Sequence, residues 1–130
     1  MPSASAAIRA ARVVGVARVA FGVALVAVPD RVGRSWLGDP GATPAAQVAV
    51  RGLGVRDAVI GAAVVLTAGD PSHGPRWTSA GALGDLADIA STTLAARHLP
   101  SSGVRGTVAL AGAAAAVSLA VGEWSRRAHA

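Results

Sequence analysis

Cysteine and lysine are both missing from this chain of 130 residues, and tyrosine with them. Without cysteine there is no disulfide frame, no thiolate nucleophile and no sulfur-ligated metal site. All twelve basic residues are Arg, and with Ala, Gly and Val dominating the rest the composition reads as that of a GC-rich bacterial genome. Aromatic residues make up only 3% of the chain, too few for a combined basic and aromatic face. The formal charge of +5 is carried by scattered Arg residues rather than a patch, so no nucleic-acid partner is expected.

What is abundant is apolar. The hydrophobic fraction is 52% and the mean hydropathy +0.50, above the range of ordinary soluble chains. The length leaves room for one domain, 1–130, and punctuation divides it into four segments of helical length at about 6–28, 44–68, 75–97 and 103–124. Pro29 stops the first and opens a polar stretch, PDRVGRSWLGDPGA, read as a loop. Thr43 before Pro44 is an N-cap followed by proline in the first turn. Gly69 with Asp70 and Pro71 ends the second segment, HLPSSG breaks the third, and Ser101 or Ser102 caps the fourth. Each segment is long enough to cross a hydrocarbon layer of roughly 30 Å.

The fourth segment decides in favour of a membrane. Between Gly106 and Gly122 it has no charged residue, and Thr107 and Ser118 are its only polar side chains. A helix without a polar face must be surrounded by apolar material, and the other segments lack the charged surface of a soluble domain wrapped around it. The expected fold is therefore all-α: an integral membrane four-helix bundle of up-down topology. Arg9 and Arg12 precede an apolar run as in a signal peptide, but Arg18 interrupts that run and no small-residue cleavage site precedes Pro29. Trp36, Trp77 and Trp124 fall at segment ends or in the first loop, where interfacial belts lie. Arg9, Arg12, Arg76, Arg126 and Arg127 share one side with the termini, against Arg31, Arg34, Arg97 and Arg105 on the other. That five-to-four excess favours both termini in the cytoplasm of a bacterial inner membrane, with dual topology, copies inserted both ways, as the alternative.

Charged residues then lie at depth. Arg18 is central in the first segment, Arg56 and Asp57 in the second, and Asp85 and Asp88 in the third; Arg51 is shallower and about 140° around the helix axis from Arg56. Each such residue costs about 2.5 to 3.5 kcal/mol at a helix centre. Three Arg and three Asp sum to zero, so they are expected to pair, with at least one Arg–Asp contact between helices. Trp77, Gly81, Gly84, Asp85, Asp88 and Thr92 share one helix face, and Gly15, Arg18 and Gly22 form a stripe. Such small-residue faces favour close helix approach and a homodimer. His73, His98 and His129 lie in loops or the tail, as solvated residues. Ser91, Thr92, Thr93 and Ser118 are expected to bond helix backbone.

The order RVAFGVALVAVP with its trailing WLG, then RGLGVRDAVIGAAVVL, then GALGDLADIA, resembles small bacterial four-helix membrane proteins of the DoxX-like type. The resemblance implies a four-helix membrane bundle. Some members of that group are associated with quinone-linked redox chemistry, but the resemblance carries over no catalytic residue, and no cofactor or metal is expected. From the residues themselves, the leading expectation is an intramembrane site that binds a small hydrophobic or anionic ligand, or relays protons. Arg18, Arg56 and Arg51 would be its ligand-binding groups and Asp57, Asp85 and Asp88 its acid-base groups. Two alternatives stand beside it. One is an acid-base enzyme of isomerase, cyclase or epoxide-opening type acting on a lipid-soluble substrate; the other is a structural subunit whose charges only staple the helices.

Overall fold

The computed structural model describes residues 3–130, and within them all regular secondary structure is helical. The elements are α1 (Ala4–Ala27), α2 (Pro29–Leu37), a 3-10 turn (Asp39–Ala42), α3 (Pro44–Thr67), α4 (Gly74–Leu94), a second 3-10 turn (Ala96–His98) and α5 (Ser101–His129). The four long helices form a square in chain order: α1 packs on α3, α3 on α4, α4 on α5 and α5 back on α1. Two of them, α1 and α5, are long and apolar enough to cross a membrane, each with an 18-residue stretch of mean hydropathy 1.8 and 1.7 respectively. In α3 and α4 the apolar run is interrupted by Arg51, Arg56, Asp57, Arg76, Asp85 and Asp88.

The tightest seam is α1 against α3, and glycine makes it. A Cβ on Gly15 would stand 2.7 Å from the Gly61 carbonyl oxygen, and one on Gly54 would stand 2.6 Å from that of Gly22. Backbone meets backbone at both crossings, so neither position tolerates a side chain without separating the helices. Toward the chain termini the interior is filled by Ala11, Val64 and Ala68 with Ile8, Ile60 and Val121 around them.

Several boundaries differ from the sequence reading. Residues 29–37, expected within a loop, form α2, because Pro29 occupies its first turn, Asp30 and Arg34 suit its dipole, and Gly38 at φ 77° ends it. Thr43 caps α3 as expected, accepting from the Ala46 N–H at 3.3 Å. Neither Ser101 nor Ser102 caps α5: Pro100 is the N-cap and no side chain bonds the end. The helix continues past Trp124 to His129, held by Glu123 pairing with Arg126 and Arg127 at 2.8 and 2.7 Å. Between α3 and α4, Asp70 Oδ1 accepts from the Ser72 and His73 N–H groups at 2.8 Å each and closes the turn.

Candidate functional site

Arg18 stands midway along α1, between Gly15 and Gly22, on the seam that faces α3. Glycine at the neighbouring turns lets the guanidinium reach across: NH1 donates to Asp57 Oδ1 at 3.1 Å and to Asp85 Oδ1 at 3.2 Å, and NH2 donates to Asp85 Oδ2 at 2.6 Å. One cation thus joins three helices. All three side chains are 7% exposed or less. Gly81 forms the surface under this guanidinium, since a Cβ there would come within 3.0 Å of Arg18 Cζ.

A second pair lies beside the first and is more open. Arg56 donates to Asp88 through NH1 at 3.0 Å and NH2 at 2.7 Å, and NH2 also reaches Asp57 Oδ1 at 3.3 Å. Its side chain is 28% exposed and that of Asp88 21%. Arg56 Nε is buried without a partner among the described residues. The bidentate Arg–carboxylate pairs in both units are the geometry in which such contacts are strongest. Asp85 and Asp88, a turn apart on α4, therefore face different guanidiniums.

Arg51 is not part of this cluster. It is exposed and makes no ion pair or side-chain hydrogen bond among the described residues, as its angular offset from Arg56 on one helix requires. The neutrality expected from three Arg and three Asp is lost with it. Arg18 and Arg56 face Asp57, Asp85 and Asp88, which leaves one negative charge in excess.

Next to the cluster the bundle opens. A cavity of about 860 Å³ lies in the half of the molecule capped by α2, within the roughly 300–1,000 Å³ typical of small-molecule sites. Its floor is Arg18, Arg56, Asp57, Asp85 and Asp88. Its walls are Val14, Phe21 and Leu25 of α1, Leu53 of α3, and a stretch of α5 from Ser102 through Thr107 and Leu110 to Ser118; Arg31, Val32, Ser35 and Trp36 of α2 form its rim. The walls are almost wholly apolar, and α5 contributes no charge.

Trp36 is fixed by an unexpected partner. Its Nε1–H donates to Thr92 Oγ1 at 3.2 Å, so Thr92 holds α2 to α4 rather than bonding its own helix. Ser91 does bond backwards, to the Ala87 carbonyl. Trp77, expected on the polar face of α4 with Asp85, is instead 38% exposed. Sequence reading missed Phe21, Arg31 and Trp36 as cavity residues. The one available signal was Val32 and Trp36 four residues apart after Pro29, the spacing of a short helix with one apolar face.

Comparison with known protein families, with curated proteins and with solved structures finds no match. The chemistry of the site rests on its own geometry.

Proposed function

We propose that the chain is a four-helix membrane protein whose α2-capped cavity binds a small lipophilic molecule, apolar body against the walls and polar group against the charged floor. The single observation that carries this reading is the cavity itself, an apolar chamber ending on a buried charge cluster.

The membrane part of the proposal is supported by the inversion of inside and outside. Large apolar side chains are exposed on all four long helices: Val13 at 68%, Leu66 at 84%, Leu83 at 70% and Leu110 at 60% are examples. The buried interior, by contrast, holds Arg18, Asp57, Asp85, Thr92 and Ser118. A soluble monomer rarely leaves so much apolar surface uncovered, whereas charged residues facing the bundle interior are the pattern of membrane helices. With the termini cytoplasmic, as the Arg distribution favours, the cavity lies in the outer half of the bilayer. The lateral wall between α1 and α5 is then its side toward lipid.

The test uses Trp36 as reporter in a Trp77→Phe/Trp124→Phe background reconstituted in phosphatidylcholine vesicles. Bromoundecanol, a quencher with a polar end, should quench Trp36 saturably. Gly106 lines the cavity, and a Cβ there meets nothing within 4 Å, so Gly106→Phe fills the chamber from an unobstructed position and should remove the saturable component. Quenching that rises linearly with membrane concentration of the probe, identical in both proteins, would refute the reading.

A further inference from the structure

The charge cluster selects among lipophilic molecules. Accounting for each polar atom, every carboxylate oxygen of Asp57, Asp85 and Asp88 accepts a guanidinium N–H except one, Asp57 Oδ2. The terminal nitrogens of Arg18 and Arg56, by contrast, are all engaged by carboxylates. The one guanidinium nitrogen of Arg56 without a partner among the described residues, Nε, is buried, so an anionic head would meet only spare N–H groups on nitrogens already held by carboxylates, beside a floor of net negative charge. A cationic head breaks none of these ion pairs.

The element-by-element charge census agrees. Around the cavity, α1 contributes Arg18, α3 contributes Arg56 and Asp57, α4 contributes Asp85 and Asp88, and α5 contributes no titratable group. The floor therefore carries one uncompensated negative charge in an apolar enclosure, a state that attracts either a proton or a cation. Arg31 on α2 is the remaining charged group; it is exposed at the rim, where water screens it from the floor. The chain has three Trp and one Phe, and Trp36 and Phe21 both line this cavity. Aromatic faces favour cations.

Building on the cavity reading above, we infer that the ligand is a lipophilic monocation, such as an alkylammonium, whose charge sits against Asp57 and competes there with a proton. Phe21, one turn from Arg18, lines the cavity near the head, and the apolar body lies along α5 toward Trp36 at the rim. Cation binding displaces one proton from the carboxylate, so charge inside the cavity stays balanced in both states.

Three bromoundecyl probes of one tail length decide it, with trimethylammonium, hydroxyl and carboxylate heads, titrated onto the Trp36 reporter in phosphatidylcholine vesicles. The expected result at neutral pH is an ammonium affinity at least about tenfold above that of the alcohol, falling by up to about tenfold per pH unit as the carboxylate takes its proton, while the alcohol is unaffected. Asp57→Asn should erase the ammonium preference and leave alcohol binding in place. Should Asp57→Asn not fold, the pH series on the unsubstituted cavity separates the same two outcomes. Equal or tighter binding of the alcohol or carboxylate overturns the cation inference while leaving the cavity reading intact; so does an ammonium preference that survives Asp57→Asn or is constant down to about pH 4. Failure of all three probes to saturate overturns the cavity reading, and the inference with it.

Discussion

Replacing Arg18 with Gln should be the most destabilising single neutralisation in the chain. Its guanidinium is the one group that ties α1 to both α3 and α4, through contacts of 3.1 and 2.6 Å to Asp57 and Asp85. Its removal leaves Asp85 with no cation and Asp57 with only the 3.3 Å contact to Arg56. Breaking a buried pair on one side costs about 3 to 5 kcal/mol, because the orphaned charge keeps its desolvation penalty. At about 1.4 kcal/mol per factor of ten, the folded-to-unfolded ratio should fall by roughly two to three and a half orders of magnitude. Arg56→Gln should cost less, since that side chain is 28% exposed and its partner Asp88 opens to the cavity. Reversible unfolding in mixed micelles, followed by helical circular dichroism, measures both. The double variant Arg18→Gln/Asp85→Asn should recover part of the loss, with a coupling of about 0.5 to 3 kcal/mol. A cost for Arg18→Gln below that for Arg56→Gln, or under about 1 kcal/mol as for an exposed pair, would refute the assignment of Arg18 as the central tie.

Gly54→Ala should destabilise by about 1 to 3 kcal/mol, because the new methyl lies 2.6 Å from the Gly22 carbonyl oxygen and forces α1 away from α3. Gly52→Ala on the same helix meets nothing within 4 Å and should be neutral or stabilising, by up to about 1 kcal/mol; equal effects of the two, in the same unfolding assay, would contradict the seam. In the α3–α4 turn the Asp70 carboxyl is held below its usual range, first by the His73 N–H, then by the His73 ring, then by the Ser72 N–H. Its folded pKa is depressed, so its contribution is complete above the unfolded value of about 3.9 and is lost as pH falls through the lower folded value. Amide exchange at Ser72 and His73 should accordingly lose protection on acidification, and protection unchanged at about pH 2 would contradict this.

The helical class was legible because punctuation is local. Thr43–Pro44 and the break at Gly69–Pro71 mark helix ends through backbone chemistry that no tertiary contact needs to supply. The pairing of Arg18 with Asp57 and Asp85 was half legible: the cost of isolated charges at depth demanded partners, and the Gly15–Arg18–Gly22 stripe indicated where α1 would come close. Which carboxylate met which guanidinium depended on helix rotations that a single helix's periodicity does not fix. Arg51 illustrates the point, since its offset from Arg56 was visible but its exclusion, and the surplus negative charge that follows, required the packed bundle. Of the cavity, the charged floor was legible and the apolar walls were not. The cavity is walled by α1 and α5 on the α2 side, and the Ala- and Gly-rich stretch of α5 reads identically whether it is packed or open. The α2 helix was hidden by its own composition, since Pro, Gly and charge in PDRVGRSWL signal a loop as strongly as they signal a short capped helix.

The central claim is that the bundle is open on the α2 side of the charge cluster and closed on the other faces, and the absence of native cysteine allows that to be measured with single thiols. Thr107→Cys places the thiol on the cavity wall, Ala82→Cys at a position that is 0% exposed, and Thr92→Cys at one that is 2% exposed. In intact membranes a membrane-impermeant maleimide should label Thr107→Cys, lose that labelling when Gly106→Phe fills the chamber, and leave Ala82→Cys and Thr92→Cys unmodified. A folded protein in which Thr107→Cys is as unreactive as Ala82→Cys would contradict the open cavity, and with it the functional reading built on it.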